Sequence, residues 1–183
     1  RLGVGGSSVV RAVDAGRVSE SLGLLIRSQK VSLDHLAEFR EAMEGSIAAQ
    51  AAERRSGADL RQLKDLLAAA GACLPAGRRR RDEFLEADRQ IHTTIAATTQ
   101  NPIYQSVLAS IHDNIHRYYD RFLSMDDREL QENYRDLCDL VAAIEKKDAP
   151  NARRLAREHV RRFNGYMQRR SRAELAAAKP PPA

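Results

Sequence analysis

Apolar residues recur at three- and four-residue spacing through most of the chain. The glycine, proline and strand-forming signals that would interrupt this rhythm are almost confined to the two ends. The pattern predicts an all-α fold. Over 32–55, Leu36, Phe39, Met43 and Ile47 fall on one stripe, with Ser32 as N-cap and Gly57 just past the end. A shorter helix is expected before it, over 17–28, and another after it with Leu60, Leu63, Leu66 and Leu67 as its buried side. The turn Leu74-Pro75-Ala76-Gly77 breaks the chain, and four further helices are expected over 82–99, 102–124, 127–147 and 150–177. Pro150 suits a first turn, where its missing N–H would have no intrahelical partner.

The ends read differently. Residues 1–10 form a glycine-rich turn entering a short strand, and a lone strand can neither pair nor bury itself. The helical domain is therefore expected over 15–178, with 1–14 a separate remnant and the proline tail 179–183 disordered. No internal repeat is visible.

Composition narrows the classes of function. With 183 residues, the chain suits one domain with a substantial core. Its 30 basic and 25 acidic residues are interleaved, which describes solvated helix faces more than a nucleic-acid stripe, although Arg78–Arg81 and Arg169, Arg170 and Arg172 cluster. Cys73 and Cys138 have neither metal-ligand spacing nor a disulfide framework, which suits a reducing, cytoplasmic setting. No apolar run reaches the roughly 18 residues of a membrane span. There is no phosphate-cradling loop, nucleophile elbow or Cys–His motif, so no catalytic residue is assigned and a non-enzyme is expected.

The candidate chemistry lies where the helices should be greasy. Arg40 sits between Leu36, Met43 and Ile47, with Glu44 one turn on. Asp88 sits between Phe84, Ile91 and Ile95, with His92 one turn on. His159 is flanked by Leu155, Phe163 and Tyr166. Buried charges are costly unless paired, metal-bound or lining a wet cavity. Arg40 and Glu44 fit either an internal ion pair or an anchor for a ligand carboxylate. Asp88 and His92 have the i, i+4 spacing that points two ligands at one metal, a spacing that any such helical pair shares. Tyr118, Tyr119 and Phe122 read as core, whereas His112 and His116 fall toward the edges of their stripe and read as solvent-facing.

Glu38-Phe39-Arg40-Glu41-Ala42-Met43-Glu44 with the alanine-rich 47–53 resembles the opening helix of the FadR C-terminal (FCD) domain of GntR-family transcription regulators. Phe84 to His92 followed by Gln100-Asn101-Pro102 resembles that domain's Asp-x-x-x-His helix and Asn turn. Ala143-Ile144, Asp148, Ala152 and His159 resemble its closing two helices. The resemblance implies an antiparallel bundle of six or seven helices around a central ligand cavity for a small effector, commonly an organic acid. It also implies a homodimer that controls DNA binding through an N-terminal winged-helix domain, of which 3–7 resemble the wing's end.

Members of the family hold a divalent metal, zinc or nickel-like, with one Asp and three His. Asp88, His92 and His159 match three of these, and Leu137 stands where the remaining His belongs, which implies a weak site. His112 is the alternative donor that could substitute, although its place at the stripe edge argues against it. Arg40 and Glu44 are then the expected ligand-binding pair. The competing readings are a small metal-dependent helical-bundle enzyme, and a helical adaptor with a solid core.

Overall fold

The computed structural model describes residues 15–28, 31–119 and 124–177, and these contain seven α-helices and no strand. They are α1 (Ala15–Arg27), α2 (Leu33–Arg54), α3 (Gly57–Gly71), α4 (Arg81–Thr98), α5 (Pro102–Tyr119), α6 (Asp127–Glu145) and α7 (Ala149–Ala177), with a short 3-10 segment, Leu74–Arg80, between α3 and α4. The expected N-terminal strand, the proline tail, Phe122 and the side chains of His116, Tyr118 and Tyr119 lie outside what is described.

Local chemistry sets the helix starts. Ser32, Ser56 and Asp126 each accept from the backbone N–H three residues on, and His35, Asp59 and Glu129 reach back to the cap, giving three reciprocal capping boxes. Gly57 therefore opens α3 instead of stopping α2, a correction to the sequence expectation. α2 ends where the backbone turns extended at Arg55 (φ −51°, ψ 135°), and the two arginines there reach outward: Arg54 donates to the Thr99 carbonyl (2.7 Å) and Arg55 to the Glu145 carbonyl (2.6 Å). These arginines supply donors to carbonyls at the C-terminal ends of α4 and α6, where helices lack them.

The buried face of α2 is made by Leu36, Arg40, Glu44, Ile47, Ala48, Ala51 and Ala52. Phe39, placed by its sequence on that stripe, is 50% exposed, because a face centred on Arg40 and Glu44 turns residue 39 about 100° away. On α3 only Leu63 and Ala70 are fully buried, with Leu60, Leu66 and Leu67 packed at the margin. α2 lies along α7, α3 on α4, α1 on α5 and α6 on α7. The α2–α7 contact is close: a Cβ added to Gly45 would lie 2.8 Å from Arg157 Cγ and 3.3 Å from the Arg153 carbonyl oxygen. Buried Ala48, Ala51, Ala52, Ala152 and Ala156 suit such an approach, since small side chains keep two backbones near each other. Between these helices and α4, α5 and α6 lies the polar centre of the bundle.

Candidate metal centre

Five helices deliver polar side chains to the middle of the core: Arg40 and Glu44 from α2, Asp88 and His92 from α4, His112 from α5, Asp136 from α6 and His159 from α7. Arg40, Glu44, Asp88, His92, His112 and His159 are all buried. Arg40 Nε donates to Glu44 Oε1 at 2.7 Å, and the guanidinium carbon stands 5.6 Å from the centre of the Phe163 ring. Glu44 Oε2 lies 2.7 Å from His92 Nδ1, off the line of a well-directed hydrogen bond, so the contact is a close ion pair. On the far side of the ring His92 Nε2 meets His159 Nε2 at 3.1 Å. Asp88 Oδ1 is 3.9 Å from the first of these nitrogens and 3.8 Å from the second.

The charges follow from this packing. Burial by itself raises the Glu44 carboxyl, but Arg40 and His92 outweigh it and hold the group well below the usual carboxylate range. Burial by itself lowers His92, and Glu44 more than reverses the effect, leaving the imidazole above its ordinary value. For His112 burial dominates and pushes it down to about 4, so it is neutral at pH 7. Its Nε2 stands 3.8 Å from Glu44 Oε1 and has no hydrogen-bond partner.

Two triangles of donors result, Asp88–His92–His159 and Glu44–His92–His112, sharing His92. Donors on a tetrahedral zinc lie about 3.3 Å apart, given bonds of about 2.0–2.1 Å. The Asp88 triangle is close to that spacing, and Asp88 Oδ1 is a buried acceptor with no hydrogen bond of its own. These residues fit a divalent metal. The Glu44 triangle fits less well, because Glu44 already neutralises Arg40 and a second cation there would face the guanidinium.

Three of the expected ligands are therefore together, and Arg40 and Glu44 adjoin them as the ion pair that was one of the two readings of their spacing. Leu137 is fully buried at the place where the resemblance calls for an imidazole. His112 corrects the solvent-facing expectation: it is 4% exposed, on the face of α5 that carries Leu108, Ile111 and Ile115. The spacing 108, 112, 115 would have found it. Asp136 went unnoticed because it flanks the apolar stripe of α6. The void bounded by Glu44, His92, Leu108, Leu140 and Ala156 measures about 10 Å³, room for about one water molecule. It is far smaller than the expected ligand cavity.

Residues 35–162 match the FCD domain. The chain belongs to the FCD domain family. This FCD domain is 26% identical over 121 residues to the galactonate operon transcriptional repressor of Escherichia coli (strain K12), across 66% of this chain and 51% of the repressor. The chain thus spans about half the length of that curated relative. Among solved structures, E. coli McbR/YncC is similar with a TM-score of 0.65 and 20% identity, covering 75% of this chain and 68% of that one. That likeness carries the fold. The resemblance to the FCD domain of GntR-type regulators is borne out.

Proposed function

We propose that this FCD domain is the effector-sensing part of a cytoplasmic transcription regulator, and that it senses a small organic acid at a divalent metal held by Asp88, His92 and His159. The observation that carries the reading is the convergence of those three residues beside a buried Arg40–Glu44 pair. When bound, the metal supplies an open coordination position for a carboxylate oxygen. The chain's own residues do the rest. Asp88 and the two Nε2 atoms bind, Glu44 orients His92, and Arg40 offers its Nη groups to the acid, since its bond to Glu44 uses Nε.

The void beside Glu44 and His92, about 10 Å³, admits a water but not an organic acid, and Asp88, His92 and His159 are themselves buried side by side. Effector entry therefore requires the bundle to open, and the free-energy difference between closed and open forms is what a sensor transmits to DNA-binding domains. Two copies pairing about a two-fold axis would join two such domains.

The closed core also favours a second reading, a helical adaptor that binds neither metal nor acid. Calorimetric titration with zinc, followed by a thermal-shift screen of hydroxy and keto acids on the loaded protein, separates the two. The sensor predicts one zinc per chain, abolished by H159A, and at least one stabilising acid whose affinity falls on Arg40→Lys while zinc binding persists. A flat response to both titrants establishes the adaptor.

A further inference from the structure

His92 is held in a recognisable way: an arginine neutralises a carboxylate, the carboxylate faces Nδ1, and the opposite nitrogen, Nε2, points at the metal position. His159 has the parts of a second such arm. Asp136 on α6 accepts from Arg162 Nη1 through Oδ1 at 2.6 Å, and its Oδ2 lies 3.8 Å from His159 Nδ1. Both atoms of that last pair are buried and neither has a hydrogen-bond partner. A buried ring nitrogen and a buried carboxylate oxygen, each unpaired and 3.8 Å apart, are both satisfied at once if the nitrogen carries a proton and the ring or the carboxylate rotates slightly.

The two arms, Arg40–Glu44–His92 and Arg162–Asp136–His159, meet where the Nε2 atoms stand 3.1 Å apart with Asp88 beside them. We propose that Asp136 is the positioning residue of His159: it holds the proton on Nδ1 and so leaves the Nε2 lone pair for the metal position. Asp136 cannot itself replace the imidazole lost at Leu137, because its carboxylate stands on the Nδ1 side of the ring, behind the ligand nitrogen. Helix α6 therefore contributes from residue 136 a support for a ligand on α7, one position before the Leu137 that contributes none. A carboxylate behind an imidazole fixes its tautomer and raises its basicity as a ligand, and removing such a partner typically weakens metal binding about 10–100-fold.

The metal half of this inference rests on the function proposed above, but the tautomer half does not, and the two are tested separately. Long-range proton–nitrogen NMR on histidine-labelled protein reads which nitrogen of His159 carries the proton, with and without zinc. The expected result is a proton on Nδ1 in both states. In D136N, Arg162 retains the amide oxygen and the amide NH2 faces Nδ1, so the proton should move to Nε2 in the metal-free protein. Zinc affinity, measured by competition with a chelator, should then fall about 10–100-fold.

A wild-type His159 with Nδ1 bare overturns the proposal, and this reading stands even where D136N does not fold. So does a D136N protein in which His159 keeps its Nδ1 proton, whatever its affinity. If the wild type takes up no zinc while the tautomer behaves as expected, the metal reading falls and the role of Asp136 holds.

Discussion

At the scale of single residues, the centre of the bundle holds two histidines that the fold treats in opposite ways. His112 is kept neutral by burial, with its folded value near 4 against an ordinary 6.5. The unfolded chain takes up a proton below pH 6.5 that the folded chain refuses. Stability should therefore fall by about 1.4 kcal/mol per pH unit between 6.5 and 4 from this group alone. His92, raised by Glu44 above 6.5, acts in the other direction: its contribution is full below 6.5 and is lost as pH rises through its folded value. Urea unfolding between pH 4.5 and 7.5 should show an acid limb that becomes shallower in His112→Asn, and equal slopes in the two proteins would show that His112 is not the group refused a proton. Leu137 tests the metal itself. Native protein after mild chelation should hold less than one zinc per chain, and Leu137→His should raise occupancy toward one, at the expense of stability in the metal-free form, where an imidazole replaces a fully buried leucine. No gain in L137H would mean that position 137 does not face the three ligands.

At the scale of elements, caps and close contacts are separable. Replacing Ser56 by Ala removes the side-chain acceptor of the α3 capping box and should cost about 1 kcal/mol with zinc binding unchanged. Gly45 tests the α2–α7 contact. Gly45→Ala gains up to about 1 kcal/mol of helix propensity but sets a Cβ 2.8 Å from Arg157 Cγ and 3.3 Å from the Arg153 carbonyl oxygen, so α7 must shift and the change should be net destabilising. Gly45→Leu drives a larger group at the Arg153 carbonyl and should cost about 1–3 kcal/mol. Equal melting of G45L and wild type would show that the helices are free to separate there. Alternation of apolar and polar residues does not mark the buried face of α2, because its centre is charged and much of the rest is alanine. That is why Phe39 misled the sequence reading, and why Arg40 and Glu44, read as anomalies, marked the interior correctly.

At the scale of the whole molecule, metal and fold are linked, because the three ligands come from α4 and α7, which are far apart in sequence, and the unfolded chain does not hold them together. At a free zinc concentration about 100 times Kd, binding should stabilise the domain by about 2.7 kcal/mol. For a domain of this size that corresponds to a rise in Tm of roughly 5–10 °C. Chelation should reverse it, and H159A should show neither change. A melting temperature independent of zinc would remove the metal from the account of this fold. Exposed Phe39 and Ile103 border an apolar groove of about 400 Å³; if two copies pair across it, light scattering should read a dimer for the native chain and a monomer for Ile103→Glu, and an unchanged mass in the variant would take the groove out of any pairing.

The helices, their order and most of their ends follow from sequence alone, because a three- to four-residue apolar rhythm and a Ser or Asp cap are local properties that any packing must accommodate. Asp88, His92 and His159 were also legible, as polar residues in apolar stripes and as matches to a family pattern. Three things depended on tertiary structure. His112 is buried because α5 presents that face to α2 and α4. Asp136 gains a role only because α7 brings His159 and Arg162 to it. The space beside Glu44 and His92 holds only about one water molecule because Ile47 and Ala48 of α2, Ala156 of α7 and Leu140 of α6 close around it. Each is a distance between helices, and spacing along one helix carries no information about the distance to the next.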